Sequence, residues 1–212
     1  MKLYAISGLG ADKRVYNQLT LDYDLIPIDW LKPNKRESVE DYAGRLSVLI
    51  ETNEAFGIIG VSFGGLIAVE LSKILNPDIT ILISSIETKS ELPILYRMLG
   101  KLNILKIVPP FLYNPPKMLA HWLFGVQNKQ LLNNILNDTD LSFAKWALNA
   151  MFKWKNTERI KNKKLIITGS RDKLLPPAKS KDQIMIDNGQ HFMIVDRAKE
   201  ISQIINEGIK SI

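Results

Sequence analysis

The stretch FGIIGVSFGGLIAVELSKIL, residues 56–75, carries a hydroxyl at Ser62 with Gly60 two residues before it and Gly64 and Gly65 just after. The run before the serine, FGIIGVS (56–62), is short, apolar and β-branched, which reads as a strand. The run after it, FGGLIAVELSKIL (63–75), is longer, apolar around much of its circumference, and stops before Asn76-Pro77, which reads as a helix buried against a sheet. A chain that turns from strand to helix in one residue strains that residue, and its neighbours must be small. Gly60 and Gly64 meet that need, and Gly65 lets the helix pack closely. The spacing G-x-S-x-G in this strand–turn–helix setting predicts a nucleophile elbow, with the Ser62 hydroxyl lifted clear at the C-terminal edge of a sheet.

Outward from this point the same rhythm recurs. KLYAIS (2–7), YDLIPIDW (23–30), ITILISS (79–85), KLIITGS (164–170) and DQIMID (182–187) are further short apolar runs. Several are apolar almost throughout, the pattern of strands buried on both faces of a parallel sheet. Helical segments alternate with them. In SVEDYAGRLSVLIE (38–51), Val39, Tyr42, Ala43, Leu46, Leu49 and Ile50 share one face, and Ser38 with Asp41 forms a capping-box-like start. Residues 196–211 predict an amphipathic last helix with Ala198, Ile201, Ile204 and Ile205 inward. The result is an α/β fold, a doubly wound, mostly parallel six-stranded sheet.

The rhythm breaks between Ser85 and Lys164, where helical spacing dominates and prolines punctuate. This assigns 1–86 and 161–212 to the core and 87–160 to a helical cap inserted after the fourth strand. The chain's net charge is +6, and its excess of cations falls in that middle segment. Such a face suits an acidic substrate, a membrane surface or nucleic acid, or is simply solvated. No aromatic-interleaved basic motif marks an RNA binder, so no nucleic acid is expected.

Composition excludes several chemistries. With no cysteine there is no disulfide, thiol nucleophile or thiolate metal site, and His121 and His191 alone cannot build a multi-histidine metal site. No signal-like start and no membrane-length apolar run are present, so a cytoplasmic location is expected.

A serine needs a base, and the base an orienting acid. His191, in NGQHFMI after the last strand, falls at the same sheet edge as Ser62. His121, in MLAHWLF, lies on an apolar helix of the cap and reads as a packed or surface histidine. Asp172, in TGSRDKLLPP, is the expected acid. Glu87, in SSIETK, is its rival, and a turn-forming role is the plain alternative for Asp172. Backbone N–H donors for an oxyanion are expected from Phe63 and from Leu9 in SGLGAD (7–12), where Asp12 would cap the next helix. As a phosphate loop, GLGAD lacks the third glycine of G-x-G-x-x-G and the lysine of a P-loop.

SGLGAD, GVSFGG, TGSRDKLLP and GQHFM, in this order, resemble the α/β-hydrolase superfamily, especially its small bacterial serine hydrolases and esterases. The resemblance implies the strand order 2-1-3-4-5-6, with the first two strands of longer members lacking. It implies the chain order Ser62, Asp172, His191 for the catalytic residues, the oxyanion donors Leu9 and Phe63, and no metal or organic cofactor. It departs from many members by Ser7-Gly8 in place of His-Gly. The implied activity is cleavage of a small or medium acyl ester or thioester through an acyl-serine. A non-hydrolytic receptor and a C–C bond hydrolase or lyase are the alternatives. Leu92, Ile94, Leu95, Tyr96, Met98, Leu99, Phe111, Leu112, Tyr113, Trp122 and Phe124 are candidates for an acyl pocket or for packing of the cap. Lys101, Lys106 and Lys117, and Lys13 and Arg14 beside the oxyanion loop, are candidates to attract an anion or a membrane surface.

Overall fold

The computed structural model describes residues 1–102, 113, 115–178 and 182–211. Six strands form one sheet: β1 (Lys2–Ile6), β2 (Asp24–Pro27), β3 (Phe56–Val61), β4 (Ile79–Ile83), β5 (Lys163–Gly169) and β6 (Gln183–Ile186). Their order is β2-β1-β3-β4-β5-β6, as the resemblance implied. Every neighbouring pair is parallel, so the expectation of a mostly parallel sheet becomes an all-parallel one. The strand order reverses between β1 and β3, the switch point beyond whose strand ends open α/β sheets bind ligands.

Side chains alternate along each strand and divide between two cores. On one face Tyr4, Ile6, Ile58, Leu82 and Ile166 pack under α1 (Val39–Leu46), α2 (Phe63–Leu75) and α6 (Leu141–Lys153). On the other, Leu3, Ala5, Ile59, Val61, Ile81 and Ile167 meet α7 (Met193–Asp196) and α8 (Ala198–Lys210). β3 and β4 are buried along their whole length, which is why their sequences do not alternate.

Helix ends follow local chemistry. The Ser38 hydroxyl accepts the Asp41 N–H and caps α1. The α-helix ends at Leu46 and tightens into a 3-10 turn, Ser47–Leu49. The tightening rotates Leu49 out to 45% exposure, against the expected inward position, while Ile50 returns to the core. On α8, Ala198, Ile201 and Ile205 are buried and Ile204 half-buried, as the spacing predicted. Between β4 and β5 the chain forms α3 (Ile94–Lys101), α4 (Lys117–Phe124), α5 (Lys129–Asp138) and α6. The apolar helix expected around His121 is α4, while α5 was not singled out in the sequence. Gly125, in the left-handed conformation at φ 61°, ends α4, and the Asn128 side chain caps α5.

The tightest packing is backbone on backbone. A Cβ at Gly64 would overlap the carbonyls of Ile6 and Ser7 at the end of β1, and one at Gly60 would overlap the backbone of Gly64 and Gly65. We therefore expect Gly64→Ala to lower stability by about 3 kcal/mol or more, since rigid backbone cannot yield as a side chain can. Urea denaturation followed by circular dichroism measures it.

Candidate active site

Ser62 sits between β3 and α2 at φ 53°, ψ −121°, a conformation that costs a non-glycine residue on the order of 1–3 kcal/mol. Three hydrogen bonds hold it there. Its N–H donates to Ile83 O at 2.9 Å, its carbonyl accepts Gly65 N–H at 2.9 Å, and the same carbonyl accepts the Ser85 hydroxyl at 2.7 Å. Ser85 also fills the space left by Gly65, and it is aimed there by Ser84, itself at φ 46°. The sequence reading missed Ser85; its only signal was the serine pair after the fourth strand.

His191 is 4% exposed, and its Nε2 lies 2.9 Å from Ser62 Oγ. Its Nδ1 lies 2.8 Å from Asp172 Oδ2. The other carboxylate oxygen, Oδ1, accepts the N–H groups of Leu174 and Leu175, each at 2.9 Å. Asp172 is therefore both the turn-forming residue and the partner of His191, one oxygen for each. An ionised carboxylate only accepts, so the imidazole proton belongs on Nδ1. That leaves the Nε2 lone pair free to accept the serine hydroxyl.

Glu87 does not share this arrangement. Its side chain is fully buried, and its oxygens take Arg159 Nη1 at 2.6 Å, Lys164 Nζ at 2.6 Å and Ile160 N–H at 2.7 Å. Both oxygens are committed to cations and backbone, so the rival acid is an ion-pair hub joining the segment after β4 to β5. His121 is likewise elsewhere, with Nε2 at 2.9 Å from Asn133 Oδ1 on the next helix.

The loop after β1 approaches the elbow. A Cβ on Gly8 would touch the Ser62 Cβ at 3.5 Å, so Leu9 follows directly beside the serine. Phe63, the first residue of α2, has a first-turn N–H that the helix cannot satisfy. The Thr139 hydroxyl, at the end of α5, shares its proton between Gly10 O at 2.9 Å and Ile135 O at 2.8 Å. Gly10 stands at φ 69°, and a Cβ there would collide with Thr139. Asp12 caps the short helix Lys13–Tyr16, as expected. Arg14 bonds both Asp12 and Asp138 at 2.7–2.8 Å, which holds the Asp12 carboxyl below the usual range. Arg14 is thus a strut between the loop and α5 rather than a free anion attractor.

The acyl-pocket candidates separate. Ile94, Leu95, Met98 and Trp122 are more than half exposed and line no interior. Leu92 is buried in the core beneath, and Tyr96 and Leu99 pack on that core. Phe124 meets the His191 ring edge-on at 5.5 Å. Burial first, and the Asp172 charge second, raise the Tyr96 phenol above its ordinary value and keep it neutral. Tyr113 is half-buried. Phe111, Leu112 and Lys106 lie outside the described residues. Phe63 joins Trp30, Phe143 and Trp146 in an aromatic cluster at ring separations of 5.7–6.5 Å, which no sequence signal linked. Among the described residues, no three His, Asp or Glu side chains gather as metal ligands.

No protein-family model matches the chain, and no curated protein matches it in sequence. Solved structures do match. Lip1 of Acinetobacter baumannii superposes with a TM-score of 0.75 at 17% identity, over 99% of this chain and 83% of that one. A lipase-esterase related protein from Clostridium acetobutylicum gives 0.72 at 16%, covering 97% and 93%. MenH from S. aureus gives 0.70 at 17%, covering 100% and 94%. The chain has the α/β-hydrolase fold. Within that fold, Ser62, Asp172 and His191 follow β3, β5 and β6 at one edge of the sheet.

The two buried carboxylates separate by experiment. Glu87→Gln strands Lys164 and Arg159 and is expected to cost about 3 kcal/mol of stability. Asp172→Asn is expected to leave the melting temperature nearer to wild type. It would abolish the imidazole orientation, read as loss of the downfield Nδ1 proton resonance by NMR.

Proposed function

We propose that the protein is a serine hydrolase that cleaves a small or medium acyl ester or thioester through an acyl-serine intermediate. The observation that carries this reading is the continuous hydrogen-bonded line from Ser62 Oγ through His191 to Asp172 at a strained elbow. Ser62 Oγ attacks the acyl carbon as His191 Nε2 takes its proton. Asp172 holds the imidazole by Nδ1 and stabilises its protonated form. The Leu9 and Phe63 N–H groups hold the oxyanion. His191 then protonates the leaving group, and the acyl carbonyl re-forms as that group departs. Water, activated by His191, repeats the cycle on the acyl-enzyme and frees Ser62. The names of the structural neighbours, one of them lipase-esterase related, support ester chemistry. The 87–160 segment acts in this reading as a cap over the site, its Phe124 and Tyr96 lowering the water content around His191 and Asp172.

Labelling with a fluorophosphonate followed by peptide mass spectrometry tests the reading. We expect an adduct on Ser62 in the wild type and none in His191→Ala; an unlabelled wild-type serine would sink it. Ser62→Ala is expected to cut turnover of any ester substrate by about 10⁴–10⁶-fold. Thr139→Val removes the tie on Gly10, worth about 1 kcal/mol, so kcat should fall about fivefold with KM little changed. Thr139→Ser should restore it.

A further inference from the structure

Helix α3 presents two unlike faces. Gly100 brings it against the backbone of Phe152 on α6, and the Tyr96 ring stacks on Phe152 at 5.1 Å. The outer face carries Ile94, Leu95 and Met98, with Leu102 just beyond the helix, each more than half exposed. Helix α4 repeats the arrangement. Its Phe124 turns in to His191, while Met118 and Trp122 stand 86% and 60% exposed. Pro93, at the start of α3, shares a groove with Pro176 and Pro177, Lys173 Nζ donates to Trp122 O on α4 at 2.8 Å, and Phe124 touches His191, so both helices flank the loop after β5 at the same sheet edge. Their apolar outer faces therefore point away from the sheet on the side that carries Ser62.

Charge on these two helices has one sign: α3 and α4 carry no Asp or Glu, but they carry Arg97, Lys101 and Lys117. At the base of α3 lies a groove of about 340 Å³, lined by Lys89, Arg97, Lys101, Ile94, Met98 and Thr157 among others. It is not lined by Ser62, Asp172 or His191. Arg97 Nε is buried and has no hydrogen-bond partner among the described residues. The nearest acid in sequence, Glu91, is occupied by Arg159 and the Glu87 N–H. On α4, the Trp122 ring lies beneath the Lys173 ammonium, which is 4.3 Å from its centroid.

We propose that the outer faces of α3 and α4 form a docking surface for an anionic lipid membrane, with Ile94, Met98, Met118 and Trp122 entering the headgroup–acyl boundary and Lys89, Arg97 and Lys101 taking lipid phosphates. Exposed long apolar side chains and an indole, on helices that carry cations and no acids, match the chemistry of an interfacial helix. A second copy of the chain fits this face poorly, because it would set cation against cation. The surface is independent of the hydrolytic reading, and the test uses the catalytically silenced Ser62→Ala protein beside the wild type.

The experiment is co-sedimentation with phosphatidylcholine vesicles with or without about 30% phosphatidylglycerol, at about 50 and 500 mM NaCl. Both proteins should bind the anionic vesicles at low salt, bind pure phosphatidylcholine much less, and lose binding at high salt. The double variant Lys89→Glu/Lys101→Glu should bind at least about tenfold more weakly, because each cation near an anionic surface contributes about fivefold. Met98→Asp should also weaken binding, with far-UV circular dichroism unchanged for both variants. The proposal is overturned by absence of binding to anionic vesicles at low salt, by equal binding to neutral ones, or by binding that neither variant weakens. It is also overturned if the chain ignores vesicles and instead sediments as a dimer that Met98→Asp dissolves.

Discussion

The turn at Ser62 constrains everything near it. Strand β3 reverses into α2 within one residue, and the reversal is sterically allowed because Gly60 and Gly64 let backbone lie against backbone and Gly65 leaves room for the Ser85 side chain. Gly64 rests on the carbonyls at the end of β1, Gly60 on Gly64 and Gly65, and Gly65 under Ser85. The strain at Ser62 is offset by hydrogen bonds from neighbouring segments, above all its N–H to Ile83 O and the Ser85 hydroxyl on its carbonyl. Ser62 follows β3, one of the two strands that flank the switch point of the sheet. The loop carrying Leu9 passes beside it, with Gly8 in ordinary contact range of Ser62.

Two buried carboxylates, Glu87 and Asp172, follow neighbouring strands and could each have served a histidine. Their surroundings separate them. Glu87 is enclosed by Arg159, Lys164 and a backbone N–H, so its charge is neutralised locally and it ties β4 to β5. Asp172 meets no Lys or Arg among the described residues; two backbone N–H groups and His191 share its charge. A carboxylate held by neutral donors keeps its field for the imidazole, whereas one between two cations has little left to offer.

The segment between β4 and β5 is joined at several points to the residues around Ser62 and His191. Thr139 bonds the carbonyl of Gly10, Asp138 reaches Arg14, Phe124 meets His191, and Trp146 and Phe143 pack on Phe63. The aromatic cluster ties α6 to the first residue of α2, so the turn that aims the serine is packed from above as well as from below. The opposite surface of the same segment is apolar and cationic, so these helices face two environments at once.

Much of this was legible in the chain. All six strands, the parallel sheet, α2, the last helix and the elbow follow from local patterns: apolar runs without alternation, a glycine-flanked serine, a capping Ser38. These depend on neighbours a few residues apart, and steric rules act at that range. Scarcity helped too, since with only two histidines the basic partner of Ser62 was nearly decided by position. Position and chain order put Asp172 ahead of Glu87 as the acid, but the sequence could not show what Glu87 does instead, because that rests on the cations beside it, and Arg159 and Lys164 are more than seventy residues away. Nor could it show that Leu49 turns outward, that Arg14 is a strut, or that Ile94, Met98 and Trp122 face solvent while Tyr96 and Phe124 face the site. Periodicity reports that a helix has an apolar side. Which side is covered, and by what, is decided only when distant segments pack.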